Sequence, residues 1–88
     1  MDSYRILWKR SVEHDLKNID QQEISRIISA IQQLAENPFP PHHRKLRGTE
    51  QFYRIRIGDY RIIYFVDVEA NTVIIYHIRH RKKAYRGL

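Results

Sequence analysis

The sequence predicts an α+β fold: two N-terminal helices packed on one face of a small twisted, mainly antiparallel sheet, in the order β-α-α-β-β-β, with a short basic C-terminal segment. Three observations predict it. Apolar residues recur at helical spacing between residues 12 and 34 and then at a spacing of two beyond residue 52. Pro38, Pro40 and Pro41 separate the two regimes. Finally, 88 residues without a cysteine are short for more than one core and offer neither disulfide nor thiolate zinc site, so packing alone must hold a single domain over residues 1–88.

Each element follows in order. Tyr4, Ile6 and Trp8 alternate with Arg5 and Leu7, which predicts a short strand with one buried face. Ser11 is a helix N-cap residue type, and Val12, Leu16 and Ile19 recur at spacings of four and three behind it. Asp20 and Glu23 stand three apart ahead of the next apolar run, close to a capping box. Ile24, Ile27, Ile28, Ile31 and Leu34 then form the stripe of a second helix, which Asn37 and Pro38 end. Residues 39–45 show no period and predict a loop that leads into Lys45, Leu46, Arg47 and Gly48. Strands are expected over residues 52–57, 60–67 and 73–79, joined by a tight turn at Gly58 and Asp59 and a second turn over residues 69–72. Neither an internal repeat nor a low-complexity segment interrupts this order.

Charge is polarised along the chain. Residues 1–43 hold five basic and six acidic groups; residues 44–88 hold eleven basic and four acidic ones. A half-chain so imbalanced repels itself when compact, which favours an anionic partner such as nucleic acid, an acidic protein segment or a lipid surface. The competing reading is a basic surface that serves solubility alone. With 42% apolar and 30% charged residues the composition excludes a disordered tail, and the N-terminal residues form neither a signal core nor a membrane span. A cytoplasmic protein without membrane contact is expected.

Arg54 and Arg56 share one strand face because side chains two apart point the same way. If Tyr53, Ile55 and Ile57 take the helix-covered side, both arginines project from the open one. Arg61 begins the next strand, and Arg79, His80, Arg81, Lys82 and Lys83 lie at the end of the last, so that these positions converge within about 10–15 Å at usual strand spacing. Guanidinium groups grip phosphate through paired N–H donors, and Tyr85 offers a ring for stacking or a phenol for chemistry. Lys45 and Arg47 add positive charge at the mouth of the meander. A solvated charged face is the alternative. His77 and His80 are three apart on a strand and so face opposite sides, His42 and His43 adjoin prolines, and no acidic or thiol set accompanies either pair, which argues against a metal site. Glu50, Asp59, Asp67 and Glu69 do not form the carboxylate cluster of a two-metal nuclease, and no serine sits in a hydrolase triad arrangement. Neither a metal nor a cofactor is expected.

The run KLRGTEQFYRIRIGDYRIIYFVD, followed by VIIYHIRHRKKAY, resembles the RelE/ParE superfamily of bacterial toxins, and specifically its RelE branch. The likeness covers most of the chain, including the element order and the Leu46-Arg47-Gly48 approach to the meander. It implies the toxin of a type II toxin-antitoxin system: an endoribonuclease that cuts mRNA in the ribosomal A site, inhibits translation and arrests growth. A RelB-like antitoxin is the implied partner, with operator DNA reached only through the antitoxin complex. By this resemblance Arg61, Arg81 and Tyr85 match family site positions, while Arg54 and Arg56 stand where the best-known form has lysines. Arginine keeps its charge at ordinary pH, so neither replacement serves as a base, but both stabilise charge.

The implied chemistry suits these residue types. RNA carries its own nucleophile, the 2′-OH, and its in-line attack on the adjacent phosphate requires charge stabilisation, a base and an acid, without a metal. Arg54, Arg56 and Arg61 would neutralise the phosphorane, Tyr85 would act as base if surrounding cations favour its phenolate, and Arg81 or His80 would serve the leaving oxygen. Two alternatives stay open: a ParE-like toxin that binds DNA gyrase, and a nucleic-acid-binding module that cuts nothing.

Overall fold

A computed structural model of the chain describes residues 3–48 and 51–82. Five strands, β1 (Arg5–Trp8), β2 (Arg44–Lys45), β3 (Phe52–Ile57), β4 (Tyr60–Asp67) and β5 (Thr72–His80), form one sheet, and the helices α1 (Arg10–Leu16) and α2 (Gln21–Glu36) lie between β1 and β2 in sequence. The spatial order is β1-β5-β4-β3-β2. β1 runs parallel to β5 and every other neighbouring pair is antiparallel, so the expected order and mainly antiparallel character hold. A parallel partner needs a long crossover. Here the helices and the meander supply it, and the first strand closes against the last.

The core lies between α2 and the sheet. Ile27, Ile31 and Leu34 of the predicted stripe are buried, with Ile24 partly so, and they meet Ile55, Ile62, Tyr64, Val66, Val73, Ile75 and Ile78. Each such side chain contributes about 1.5–3 kcal/mol through burial. Tyr64 is fully buried, and its hydroxyl donates to the Pro38 carbonyl at 2.7 Å. That bond anchors the chain where it leaves α2. Desolvation, with a smaller contribution from Tyr53, pushes the Tyr64 phenol far above its ordinary value and keeps it a donor.

The β3–β4 hairpin matches expectation residue for residue, with Ile57 opposite Tyr60 across the Gly58–Asp59 loop. Gly58 sits at φ +58°, the left-handed conformation that glycine adopts without a Cβ penalty. Between β4 and β5 the register shifts: Ile63 faces His77 whereas Tyr64 faces Ile75, so Tyr76 is an extra residue on β5. This bulge returns Ile78 to the helix side and leaves His77 and Arg79 on the opposite one.

Both predicted caps are corrected by the structure. Helix α1 begins two residues early, at Arg10 behind Lys9, and the Ser11 hydroxyl donates instead to the Tyr76 carbonyl. Asp20 occupies the N-cap of α2 but makes no side-chain cap bond, and Glu23 pairs with Arg26 at 3.2 Å. The segment expected to be all loop contains β2, which pairs Arg44 with Arg54 and Lys45 with Tyr53. Two residues are too few to show a period. β1 reaches only as far along β5 as Ile75. Beyond that point α1 lies along the same edge, where Asp15 Oδ2 accepts the Ile78 N–H at 3.0 Å.

Candidate nucleic-acid interface

The helices cover one side of the sheet, and strand parity decides which side chains remain on the other. Ile55 lies in the core, so its neighbours Arg54 and Arg56 project from the open face, as expected. Ile62 and Tyr64 lie in the core, so Arg61 and Ile63 point to the other face of β4, where Ile63 is nonetheless fully buried. The bulge gives β5 the matching pair, His77 and Arg79.

Cross-strand register then assembles the site in rows. Arg56 faces Arg61, and Arg61 faces Arg79, which places three guanidinium-bearing residues side by side across three strands spanning about 10 Å. The neighbouring row runs Arg54, Ile63, His77, and Arg44 of β2 extends it beside Arg54. A third row places Phe52 beside Phe65, with ring centroids 5.2 Å apart, and the Tyr76 ring lies 4.8 Å from Phe52. Like charges directly opposite one another destabilise a sheet by up to about 1 kcal/mol per pair. Repeated cations at consecutive cross-strand positions are therefore an unfavourable arrangement that an anion relieves.

Local bonds hold Arg56 and Arg61 without neutralising them. Arg56 Nε donates to the Gly58 carbonyl at 3.1 Å, and Arg61 Nη1 lies 3.5 Å from the Tyr60 carbonyl. No carboxylate among the described residues forms an ion pair with Arg56 or Arg61. Arg56 is exposed, whereas Arg54, Arg61 and Arg79 are half-buried. Arg81 follows β5 directly, and its N–H donates to the Asp59 carbonyl at 2.7 Å. That bond ties the Arg81 backbone to the turn from which Arg61 departs.

Other residues expected at the site stand elsewhere. His80 faces Tyr60, with rings 5.7 Å apart, and lies on the helix side near Asp20 and Glu23, away from the arginine row. Lys45 faces Tyr53, which packs against the core, so its parity is also that of the helix side. Arg47 and Lys82 are exposed at the ends of the meander. Tyr85 and Lys83 lie outside the described residues. Sequence reasoning missed Arg44, which belonged to an apparent loop, and gave His77 no role beyond a rejected metal pair. The only signal for either was the pairing register, which the sequence does not display. Among the described residues no cluster of His, Asp or Glu could hold a metal, and no helix is long and apolar enough to cross a membrane.

Known proteins share this fold. A family model described as the ParE toxin of a type II toxin-antitoxin system, parDE, matches residues 6–85. The toxin RelE3 of Methanocaldococcus jannaschii is 29% identical over 85 residues, covering 92% of this chain and 94% of the relative. The crystal structure of the archaeal RelE-RelB complex from Pyrococcus horikoshii superposes with a TM-score of 0.80 at 29% identity, covering 93% of this chain and 99% of its counterpart. The isolated RelE toxin of E. coli, at 20% identity, shares the fold with a TM-score of 0.78 over 97% of this chain and 88% of its own.

Proposed function

The chain belongs to the RelE/ParE superfamily of type II toxin-antitoxin toxins, and on that premise we propose that it is a ribosome-dependent endoribonuclease that cuts mRNA in the A site and thereby inhibits translation. The observation that carries this reading is the Arg56–Arg61–Arg79 row on the face opposite α2, with the Arg81 backbone bound to the adjoining turn. A sugar-phosphate chain laid across that row meets one guanidinium per strand, and paired N–H donors suit the non-bridging oxygens.

The reaction uses the substrate's own 2′-OH. In-line attack on the neighbouring phosphorus forms a P–O bond, breaks the bond to the 5′ oxygen of the next nucleotide and leaves a 2′,3′-cyclic phosphate. Arg54, Arg56 and Arg61 stabilise the charge that builds on the phosphorane, which is where fixed cations accelerate such a step most. Arg81 serves the leaving oxygen and Tyr85 the 2′-OH, roles that rest on the family resemblance of those positions. Arg44, Arg47, Arg79, Lys82 and Lys83 bind the flanking backbone.

A RelB-like antitoxin is the proposed partner, supported by the RelE-RelB complex of the Pyrococcus horikoshii relative. An acidic segment laid over the open face would cover the arginine rows and silence them, and operator DNA would be contacted through that complex. The proposed setting is the cytoplasm, where ribosomes are. Because the matching family model carries the ParE description, the gyrase-directed reading has its own support.

Primer extension on mRNA recovered from programmed ribosomes separates the two. The wild-type protein should generate new ends within the A-site codon, and Arg61→Ala and Arg81→Ala should lose them. Intact message with the wild-type protein, together with inhibited DNA supercoiling by gyrase, would decide for the ParE reading.

A further inference from the structure

We propose that Asp15 and His77 are positioning residues that hold Arg79 in place for an RNA phosphate, an inference that rests on the reading of the open face as an RNA surface. Where β1 ends, α1 lies along the outer edge of β5, and the Asp15 carboxylate takes the place of a strand partner by accepting the Ile78 N–H at 3.0 Å. That bond fixes Oδ2. The same oxygen lies 3.4 Å from His77 Nδ1, and the two side chains are only 14% and 15% exposed. The other ring nitrogen, Nε2, lies 3.5 Å from Arg79 Nη2. The order Asp15, His77, Arg79 thus runs from the helix, over the sheet edge, to the residue that faces Arg61.

The chemistry of the three groups sets a direction. A tautomer with its hydrogen on Nδ1 donates to the carboxylate and leaves the Nε2 lone pair to accept from the guanidinium. His77 Nδ1 is buried, and its contact with Asp15 is not aligned as a hydrogen bond, so it has no such partner among the described residues. Buried polar atoms rarely stay that way, and both contacts are at the long end. Hydrogen bonds of this kind are commonly long in a free enzyme and tighten when ligand binds. A phosphate that engages Arg79 draws the guanidinium into one orientation, and the ring closes on Asp15 behind it.

The alternative is a histidine that merely packs, and a double-mutant cycle distinguishes the two. The probe is a fluorescein-labelled, mixed-sequence, single-stranded RNA about 12 nucleotides long, titrated by anisotropy. Arg79→Ala should weaken binding about tenfold, as loss of one charge-assisted contact does. His77→Leu should weaken it similarly, and the double variant by no more than about twofold beyond either single change. His77→Leu should also lower the salt slope by about 0.7, as Arg79→Ala does, although no arginine has been removed. His77→Gln, whose amide both donates and accepts, should restore most of the affinity. If His77→Leu fails to melt cooperatively, His77→Asn replaces it, since the shorter amide reaches Asp15 but not Arg79. Wild-type affinity in His77→Leu, multiplied losses in the double variant, or a His77→Gln as weak as His77→Leu would each overturn the inference. Cleavage of ribosome-bound message by the wild type is scored separately: its absence with the cycle intact removes the nuclease reading alone, whereas a wild type that cleaves ribosome-bound message but does not bind the probe removes the positioning inference alone.

Discussion

Removing the open-face arginines one at a time should change the salt dependence of RNA binding in equal steps. Arg54, Arg56, Arg61 and Arg79 stand on the face opposite α2, at cross-strand positions that follow one another. If each neutralises one phosphate, these four alone contribute about −2.8 to the slope of log affinity for single-stranded RNA against log salt concentration, since each contact on a single strand contributes about −0.7. Raising salt from about 50 to about 200 mM should then cost at least about 50-fold in affinity. Each arginine changed to alanine should make the slope shallower by about 0.7, whatever its effect at any one salt concentration. Arg26→Ala is the control: Arg26 lies on α2, pairs with Glu23 at 3.2 Å and should leave the slope unchanged. Fluorescence anisotropy across a salt series measures all of this. A wild-type slope shallower than about −1, or an Arg26→Ala effect as large as that of Arg61→Ala, would refute the placement of RNA on the open face.

Three further outcomes are expected. A 2′-O-methyl group at the cut nucleotide should abolish cleavage of ribosome-bound message, and the unmodified message should end in a 2′,3′-cyclic phosphate, as end-group analysis of the product reports. Tyr64→Phe should lose about 1 kcal/mol in urea unfolding at neutral pH by stranding the Pro38 carbonyl. The folded phenol is raised above its unfolded value, so its contribution is complete below about pH 10 and declines by about 1.4 kcal/mol per unit above it; subtracting the Tyr64→Phe stability curve from that of the wild type should isolate this decline. Gly58→Ala should lower stability by about 1 kcal/mol because of its φ of +58°, as thermal melting can measure, since an added Cβ would meet only ordinary contacts at 3.5 Å and beyond.

What the sequence disclosed and what it withheld have separate physical causes. The alternation from Phe52 to Ile57, the Gly58–Asp59 turn and the apolar run that follows determine the hairpin locally, and its bounds agree with expectation. The open-face placement of Arg54 and Arg56 needed only the alternation and one covering layer. Arg79 was chosen for its charge, but its position opposite Arg61 depends on the bulge at Tyr76, and an extra residue on one strand leaves no local mark on a sequence. Ser11 and Asp20 have good capping chemistry, yet the Ser11 hydroxyl found a partner on β5 and the Asp20 side chain formed no cap bond. Tertiary contacts overrode local preference there. Arg44 was missed because β2 has only two residues, and His77 because its partner Asp15 is 62 positions away in the chain.

The most direct test follows the resonances of the isotope-labelled protein as single-stranded RNA is added. Shifts should concentrate on Arg54, Arg56, Arg61, His77 and Arg79, with the Arg61 and Arg79 guanidinium signals moving most, while the outer face of α2 around Ser29 and Gln33 stays still. Shifts confined to that helix face, or spread evenly over the surface, would contradict the account.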